Sequence, residues 1–232
     1  MATPNILFIP GLAGKAVFWS RQLDAFAPRF APLACDLGAR ASVEALARDT
    51  LALLDAHHIE RCHVVGHSTG GAIAQVIAAR HPERVARLVL SATWCTPTAP
   101  FLAFFRLRKR VLTELGAEPY AVLAALTAWP DDWLERHPEL LAAAAGPGEK
   151  QGLLARMDAI LAFDGASELG RIRAPTRVVC AEDDRIVPVN HSKRIAAGIR
   201  GSELRLLPYG GHFPQVAATD SYNALLMEFL DE

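Results

Sequence analysis

What this 232-residue chain has little of narrows its functions quickly. An excess of either charge is missing: 24 Lys and Arg against 25 Asp and Glu leave a formal net charge of −1, so there is no electrostatic footprint for nucleic acid or an anionic membrane surface. No uninterrupted apolar run approaches the roughly 18 residues of a membrane-spanning helix. No basic stretch precedes an apolar one at the N-terminus, so a signal peptide is not expected either. Cysteine is scarce. Cys35, Cys62, Cys95 and Cys180 lie far apart, each in or beside an apolar run. That is the pattern of buried free thiols and not of a C-x-x-C metal site, and it fits a reducing, cytoplasmic compartment. G-x-G-x-x-G and Gly-Lys-Ser/Thr phosphate loops are both missing, and no cofactor or metal is implied. No internal repeat or low-complexity linker interrupts the chain, although Ala142 to Gly148 is locally biased.

What is present is 51% hydrophobic and 21% charged, the balance of a compact globule, and the length suits one α/β domain spanning 1–232, or at most two small domains. Ile6 to Ile9 is a continuous apolar run, as in a strand buried on both faces. It leads into Pro10-Gly11-Leu12-Ala13-Gly14, a loop whose glycines allow close backbone approach. Residues 17 to 27 read as a helix, Ala31 to Cys35 as a strand, and Ser42 as the N-cap of a helix with Val43, Leu46, Ala47, Thr50, Leu51 and Leu54 on one face. Strands follow at Cys62 to Val65, Val85 to Ala92, Thr176 to Ala181 and Glu203 to Leu207, with helices between. The regular alternation predicts a parallel sheet with helices on both faces. It breaks between about 97 and 170, where helix formers, aromatics and six prolines predict short helices forming a cap over the carboxyl edge of the sheet.

The chemistry centres on Gly66-His67-Ser68-Thr69-Gly70, a sharp turn between a strand and a helix. Only small neighbours such as Gly66 and Gly70 permit a turn this tight, which aims the Ser68 hydroxyl outward. Roughly one chain in twenty-five would contain Gly-x-Ser-x-Gly by accident, so the strand before it and the helix after it carry the argument. A serine hydroxyl needs a base, and the base needs an orienting group. His212, in the glycine-rich turn after the last strand, is the best-placed base. His67 adjoins the serine on a turn where neighbours point apart, and reads as a packing or positioning residue. The acid follows another strand, where Glu182, Asp183 and Asp184 compete.

The order serine, acid, histidine resembles that of the α/β-hydrolase superfamily, and the resemblance covers almost the whole chain. There the acid sits in Gly-x-x-Asp-x-x-x-Pro; Ala181 replaces the glycine here, and Asp184 stands four residues before Pro188. The resemblance also implies an oxyanion hole of backbone N–H groups from Leu12 and Thr69, with Pro10-Gly11 where many relatives have His-Gly. Two antiparallel strands usually precede the first parallel one; with none expected here, about six parallel strands remain. Ala128-Trp129-Pro130-Asp131-Asp132-Trp133, Ile172-Arg173-Ala174-Pro175, Cys180 to Asp184, Pro208 to His212 and Asn223 to Leu226 resemble the aminoacrylate hydrolases of pyrimidine breakdown and, more distantly, enol-lactonases.

The function these readings imply is hydrolysis of a small carboxylic ester, lactone or related acyl compound through a Ser68 acyl-enzyme. Hydrolysis of an enamine acid such as aminoacrylate is the alternative. A non-catalytic ligand receptor, or a cofactor-free lyase or oxygenase, is the reading from another class. The families resembled act on small carboxylates, so the expected partner is a small molecule carrying one. Gly11, His67, Trp94, Phe105, Trp129, Trp133 and Phe213 are the expected pocket residues, Trp94 foremost because ligands sit at the carboxyl ends of parallel strands. Phe101, Phe104 and Phe163 divide between packing and pocket. Arg106, Arg108, Lys109 and Arg110 form a basic cluster that reads either as a solvated helix face or as an anion site.

Overall fold

A computed structural model of the chain describes residues 3–142 and 147–231, without the side chains of 147 and 148. The Ala/Gly-biased stretch at 142–148 thus lies largely outside the described residues. Six strands run parallel in one sheet: β1 (Asn5–Ile9), β2 (Ala31–Ala34), β3 (Cys62–His67), β4 (Val85–Ser91), β5 (Thr176–Ala181) and β6 (Glu203–Leu207), in the order β2-β1-β3-β4-β5-β6. The strand count and direction are those expected. Every residue of β3 and β5 is buried, whereas the edge strands β2 and β6 are largely open.

Alternation along the strands divides the core, because successive side chains leave a strand on opposite faces. Leu7, Ile9, Val64, Leu88, Leu90 and Val178 point to one face. There α2 (Val43–Ala56), α3 (Thr69–Arg80) and α8 (Val189–Gly198) cover them. Ile6, Phe8, Val65, Val89 and Val179 point to the other, under α1 (Ser20–Phe26) and the C-terminal helix, which bury Phe26, Tyr222, Leu226 and Phe229. Each such side chain contributes about 1.5–3 kcal/mol by leaving water.

The boundaries shift for local reasons. The helix read over 17 to 27 begins as a 3₁₀ turn, Ala16–Trp19, before α1. The second strand stops at Ala34, and Cys35 leaves the ladder. The fourth stops at Ser91, because Ala92 has φ 47°, which no strand residue holds. Ser42 caps α2 as expected, its Oγ accepting from Ala45 N–H at 3.2 Å.

Between β4 and β5 stand α4 (Ala99–Arg110), a π-helical turn at Val111–Leu115, α5 (Ala117–Ala128), α6 (Asp131–Arg136) and α7 (Pro147–Ala162). The two stems of this cap are tied together. Gly165 N–H donates to Cys95 O at 2.8 Å, and Thr96 Oγ1 donates to Asp164 Oδ1 at 2.9 Å. After β6 come α9 (Pro214–Ala217) and α10 (Thr219–Leu230).

Candidate active site

Ser68 lies between β3 and α3 with φ 53° and ψ −116°, a conformation that L-residues hold only under constraint. The constraint is close packing. A Cβ on Gly66 would stand 2.3 Å from Gly70 O, and one on Gly70 would stand 2.2 Å from Ile9 O. Ser68 N–H donates to Ser91 O at 2.8 Å and Thr93 Oγ1 donates to Ser68 O at 2.7 Å, so the neighbouring strand end holds both sides of the turn.

The structure brings Ser68, His212 and Asp184 together from three strand ends. His212 Nε2 is 3.0 Å from Ser68 Oγ, and His212 Nδ1 is 2.9 Å from Asp184 Oδ2. All three side chains are buried. A carboxylate can only accept, so Nδ1 carries the imidazole proton and Nε2 is left to accept from the serine hydroxyl. The other Asp184 oxygen accepts from Ile186 N–H at 2.8 Å and Val187 N–H at 2.9 Å. Asp183 points elsewhere: it accepts from Gly211 N–H at 2.9 Å and, more weakly, from Gly210 N–H at 3.4 Å, bracing the turn that carries His212. That turn also leans on the cap, since His212 N–H donates to Ala128 O at 2.8 Å.

A cavity of about 360 Å³ opens above Ser68, and Gly11, His67, Phe105, Trp129 and Phe213 line it as expected. Two expected wall residues do not. Trp94 is fully buried in packing with Phe101 and Phe163, ring centroids 4.9 and 6.2 Å away, because the chain turns at Ala92 before reaching it. Trp133 stacks on Trp129, ring centroids 5.9 Å apart, and of the two only Trp129 lines the cavity. Leu12 lies on the wall, and Thr69 opens α3 directly after Ser68. Neither N–H has an acceptor among the turn and loop hydrogen bonds of the described residues. His67 packs against His212 at 4.9 Å and Phe213 at 5.3 Å; burial first, and then the charge of His212, push its pKa well below the ordinary histidine value.

Sequence reading did not separate the members of the basic cluster, and the structure does. Lys109 pairs with Asp158 and Arg110 with Glu114, while Arg106 is exposed. Arg108 turns inward, 6% exposed, and lines the cavity. Its Nη2 donates to Tyr120 Oη at 2.8 Å and its guanidinium lies 5.2–5.6 Å from the rings of Phe104, Phe105 and Tyr120. Its Nε has no partner, and no carboxylate pairs with it among the described residues. The signal was there: Phe101, Phe105, Arg108 and Leu112 follow helical spacing, so the aromatic stripe carries Arg108 inward.

Arg156 of α7 was missed altogether. It is 5% exposed and bonds four backbone carbonyls, those of Leu12, Ala13, Leu37 and Gly38, at 2.7, 3.2, 3.0 and 3.1 Å. Burial lowers its pKa, with Glu149, Tyr120 and Asp36 pulling the other way. Trp19 and Gln215 also line the cavity without having been foreseen. Among the described residues, no group of three or more His, Cys, Asp or Glu converges as a metal site, and no helix is long and apolar enough to cross a membrane. The four cysteines are free and buried; burial raises the Cys35 and Cys62 thiols to about 12 and Cys180 to about 11.

Comparison with known proteins gives this geometry a family. The profile of the Alpha/beta hydrolase family matches residues 6–225. RutD proteins, named for carbamate hydrolysis, are similar over nearly all of the chain. That of Stutzerimonas stutzeri is 33% identical, covering 99% of this chain and 92% of its own length, and that of Variovorax paradoxus is 35% identical, covering 97% and 91%. Among solved structures, the enol-lactonase of Burkholderia xenovorans superposes with a TM-score of 0.89 over 100% of this chain and 93% of its own. At 24% identity, that likeness shows the fold alone.

Proposed function

The chain belongs to the alpha/beta hydrolase family, and from that premise we propose that it hydrolyses a small carboxylic ester, lactone or related acyl compound through an acyl-enzyme on Ser68. The observation that carries the reading is the unbroken hydrogen-bonded line Ser68 Oγ, His212, Asp184, at 3.0 and 2.9 Å. As Ser68 Oγ attacks the carbonyl carbon, His212 Nε2 takes its proton, and Asp184 stabilises the imidazolium while fixing the ring. The carbonyl oxygen gathers negative charge between the Leu12 and Thr69 N–H groups, whose dipoles need no reorganisation. His212 then protonates the leaving oxygen. Water, activated by the same Nε2, hydrolyses the acyl-enzyme and restores Ser68. Neutral His67 adds no second positive charge beside the imidazolium.

The substrate is small and carries an anionic group. A cavity of about 360 Å³ lies at the low end for small-molecule sites. Arg108 supports the charge assignment, since a buried guanidinium without a counter-ion is costly and a substrate carboxylate would supply one through charge-assisted hydrogen bonds. Hydrolysis of a carbamate or an enamine acid is the second reading, favoured by the 33–35% identity to RutD proteins. The burial of all four thiols fits a cytoplasmic setting.

The test is intact-mass analysis after treatment with a fluorophosphonate, alongside turnover of short esters, lactones and carbamates. One adduct in the wild type, none in Ser68→Ala, and ester turnover lost with it are the expected results. An unlabelled wild type, or an adduct elsewhere, would overturn the acyl-enzyme. Carbamate turnover unaffected by Ser68→Ala would favour the second reading.

A further inference from the structure

The loop carrying Leu12 has no secondary structure to hold its peptide planes, yet each carbonyl from Gly11 to Gly14 is engaged. Gly11 O accepts from Gly14 N–H at 2.9 Å, and Gly14 O from Leu37 N–H at 2.9 Å. The two carbonyls between them, Leu12 O and Ala13 O, are both taken by Arg156, through Nε at 2.7 Å and Nη2 at 3.2 Å. Its remaining nitrogen, Nη1, reaches Leu37 O and Gly38 O, on the segment that also holds Gly14.

The surroundings are shaped to this guanidinium. Gly14 has φ 70°, and a Cβ there would stand 2.9 Å from Arg156 Cζ; one on Gly152, a turn earlier in α7, would stand 3.1 Å from Nη1. The side chain is buried, and among the described residues its hydrogen bonds go to neutral carbonyls alone. Burying a charge this way is expensive if all it achieves is adhesion. What the planar fork does supply is geometry, since several donors fixed in one plane lock several peptide units at once.

We propose that Arg156 is a positioning residue: by holding the peptide units that follow Leu12, it aims the Leu12 N–H at the reacting carbonyl oxygen. The oxyanion contact is therefore complete only while α7 of the cap is seated on the loop. The proposal rests on the Ser68 acyl-enzyme reading. It differs from a packing role in what it changes: the transition state, in which charge develops on that oxygen, and not the binding of uncharged substrate.

The experiment compares wild type, Arg156→Lys and Arg156→Ala with p-nitrophenyl acetate, measuring kcat and KM separately, the rate of fluorophosphonate labelling, and recovery on adding guanidinium chloride at non-denaturing concentration. Loss of one well-aimed oxyanion donor costs about 10²–10³-fold in kcat. Arg156→Ala is expected to fall by roughly 10²-fold with KM within about threefold, to label Ser68 correspondingly slowly but fully, and to regain activity with guanidinium. Arg156→Lys, which keeps the charge but not the fork, should lose roughly tenfold while remaining folded by circular dichroism, and it carries the test if the alanine variant does not fold. Wild-type kcat and labelling rate in a folded variant would overturn the proposal while leaving the serine mechanism standing. So would a loss that appears only in KM, or a folded alanine variant that guanidinium does not rescue. A wild type whose turnover survives Ser68→Ala would instead bring down the mechanism itself.

Discussion

The floor and the roof of the site are built on different terms. The floor is the carboxyl edge of a sheet whose strand ends are locked by ladder hydrogen bonds, and it holds the Ser68, His212 and Asp184 side chains within 3.0 Å of their partners. The roof consists of short helices packed through side chains, and it contributes one cation to the cavity, Arg108, and another to the loop beneath, Arg156. The contrast suggests a division of labour. Backbone-locked elements hold the proposed reacting line, where misplacement by about 1 Å is costly, while side-chain-packed elements select what enters through Arg108 and brace the Leu12 loop through Arg156.

The largest expected effect lies in the floor. Asp184→Asn should lower kcat by about 10⁴-fold, because it removes the acceptor that fixes the His212 tautomer. Asp183→Asn keeps a carbonyl oxygen for Gly211 N–H and should stay within roughly tenfold, as a change outside the reacting line. Steady-state kinetics on the pair decide it, and a reversed order would reassign the acid.

A smaller effect is expected in the roof. Arg108→Met should raise KM for a carboxylate-bearing short ester by roughly 10–100-fold, the value of about 1.5–3 kcal/mol for a charged hydrogen bond. The neutral ester of the same size should change little. Equal effects on both esters would return Arg108 to a structural role and erase the contrast.

The smallest effect concerns protons. His63, His67 and His191 all have pKa values lowered by burial from 6.5, so below that pH the unfolded chain binds protons that the folded one does not. Stability therefore falls as pH drops from 7 towards 5, by at most ~1.4 kcal/mol per pH unit for each histidine. At about 2–4 °C in Tm per kcal/mol for a chain of this size, that is at most ~3–6 °C per pH unit for each histidine. Thermal melts at constant ionic strength should show the decline, and His63→Gln, remote from the catalytic line, should flatten it. A constant Tm from pH 7 to 5 would contradict the neutral-histidine floor.

The same contrast governs what could be read from the sequence. Strands buried on both faces declare themselves as unbroken apolar runs, and the turn at Ser68 is marked by glycines that tolerate no Cβ, so the sheet and the serine were legible. Asp184 became legible only through its spacing to Pro188. The cap hides its orientation. Helix α5 is apolar almost all round, and along Arg108-Lys109-Arg110 only the phase of the helix decides which residue faces inward. Trp94 misled for a related reason: the rule that ligands sit at strand ends holds, but one left-handed residue, Ala92, redirects the chain before Trp94 is reached. Arg156 had no motif to betray it, since its partners are carbonyls from distant parts of the chain.

The tied stems of the cap have a consequence for how such a protein could be rebuilt. Because Cys95 and Thr96 bond directly to Gly165 and Asp164, the segment between them leaves and re-enters the body through a single narrow gate. A foreign segment spliced in at that gate would leave all six strands and their ladder untouched. Such a chimera should inherit the scaffold and its Ser68 turn without redesign; on the role proposed for Arg156, it would work well only if the transplanted roof brings a fork of donors to meet the Leu12 and Ala13 carbonyls.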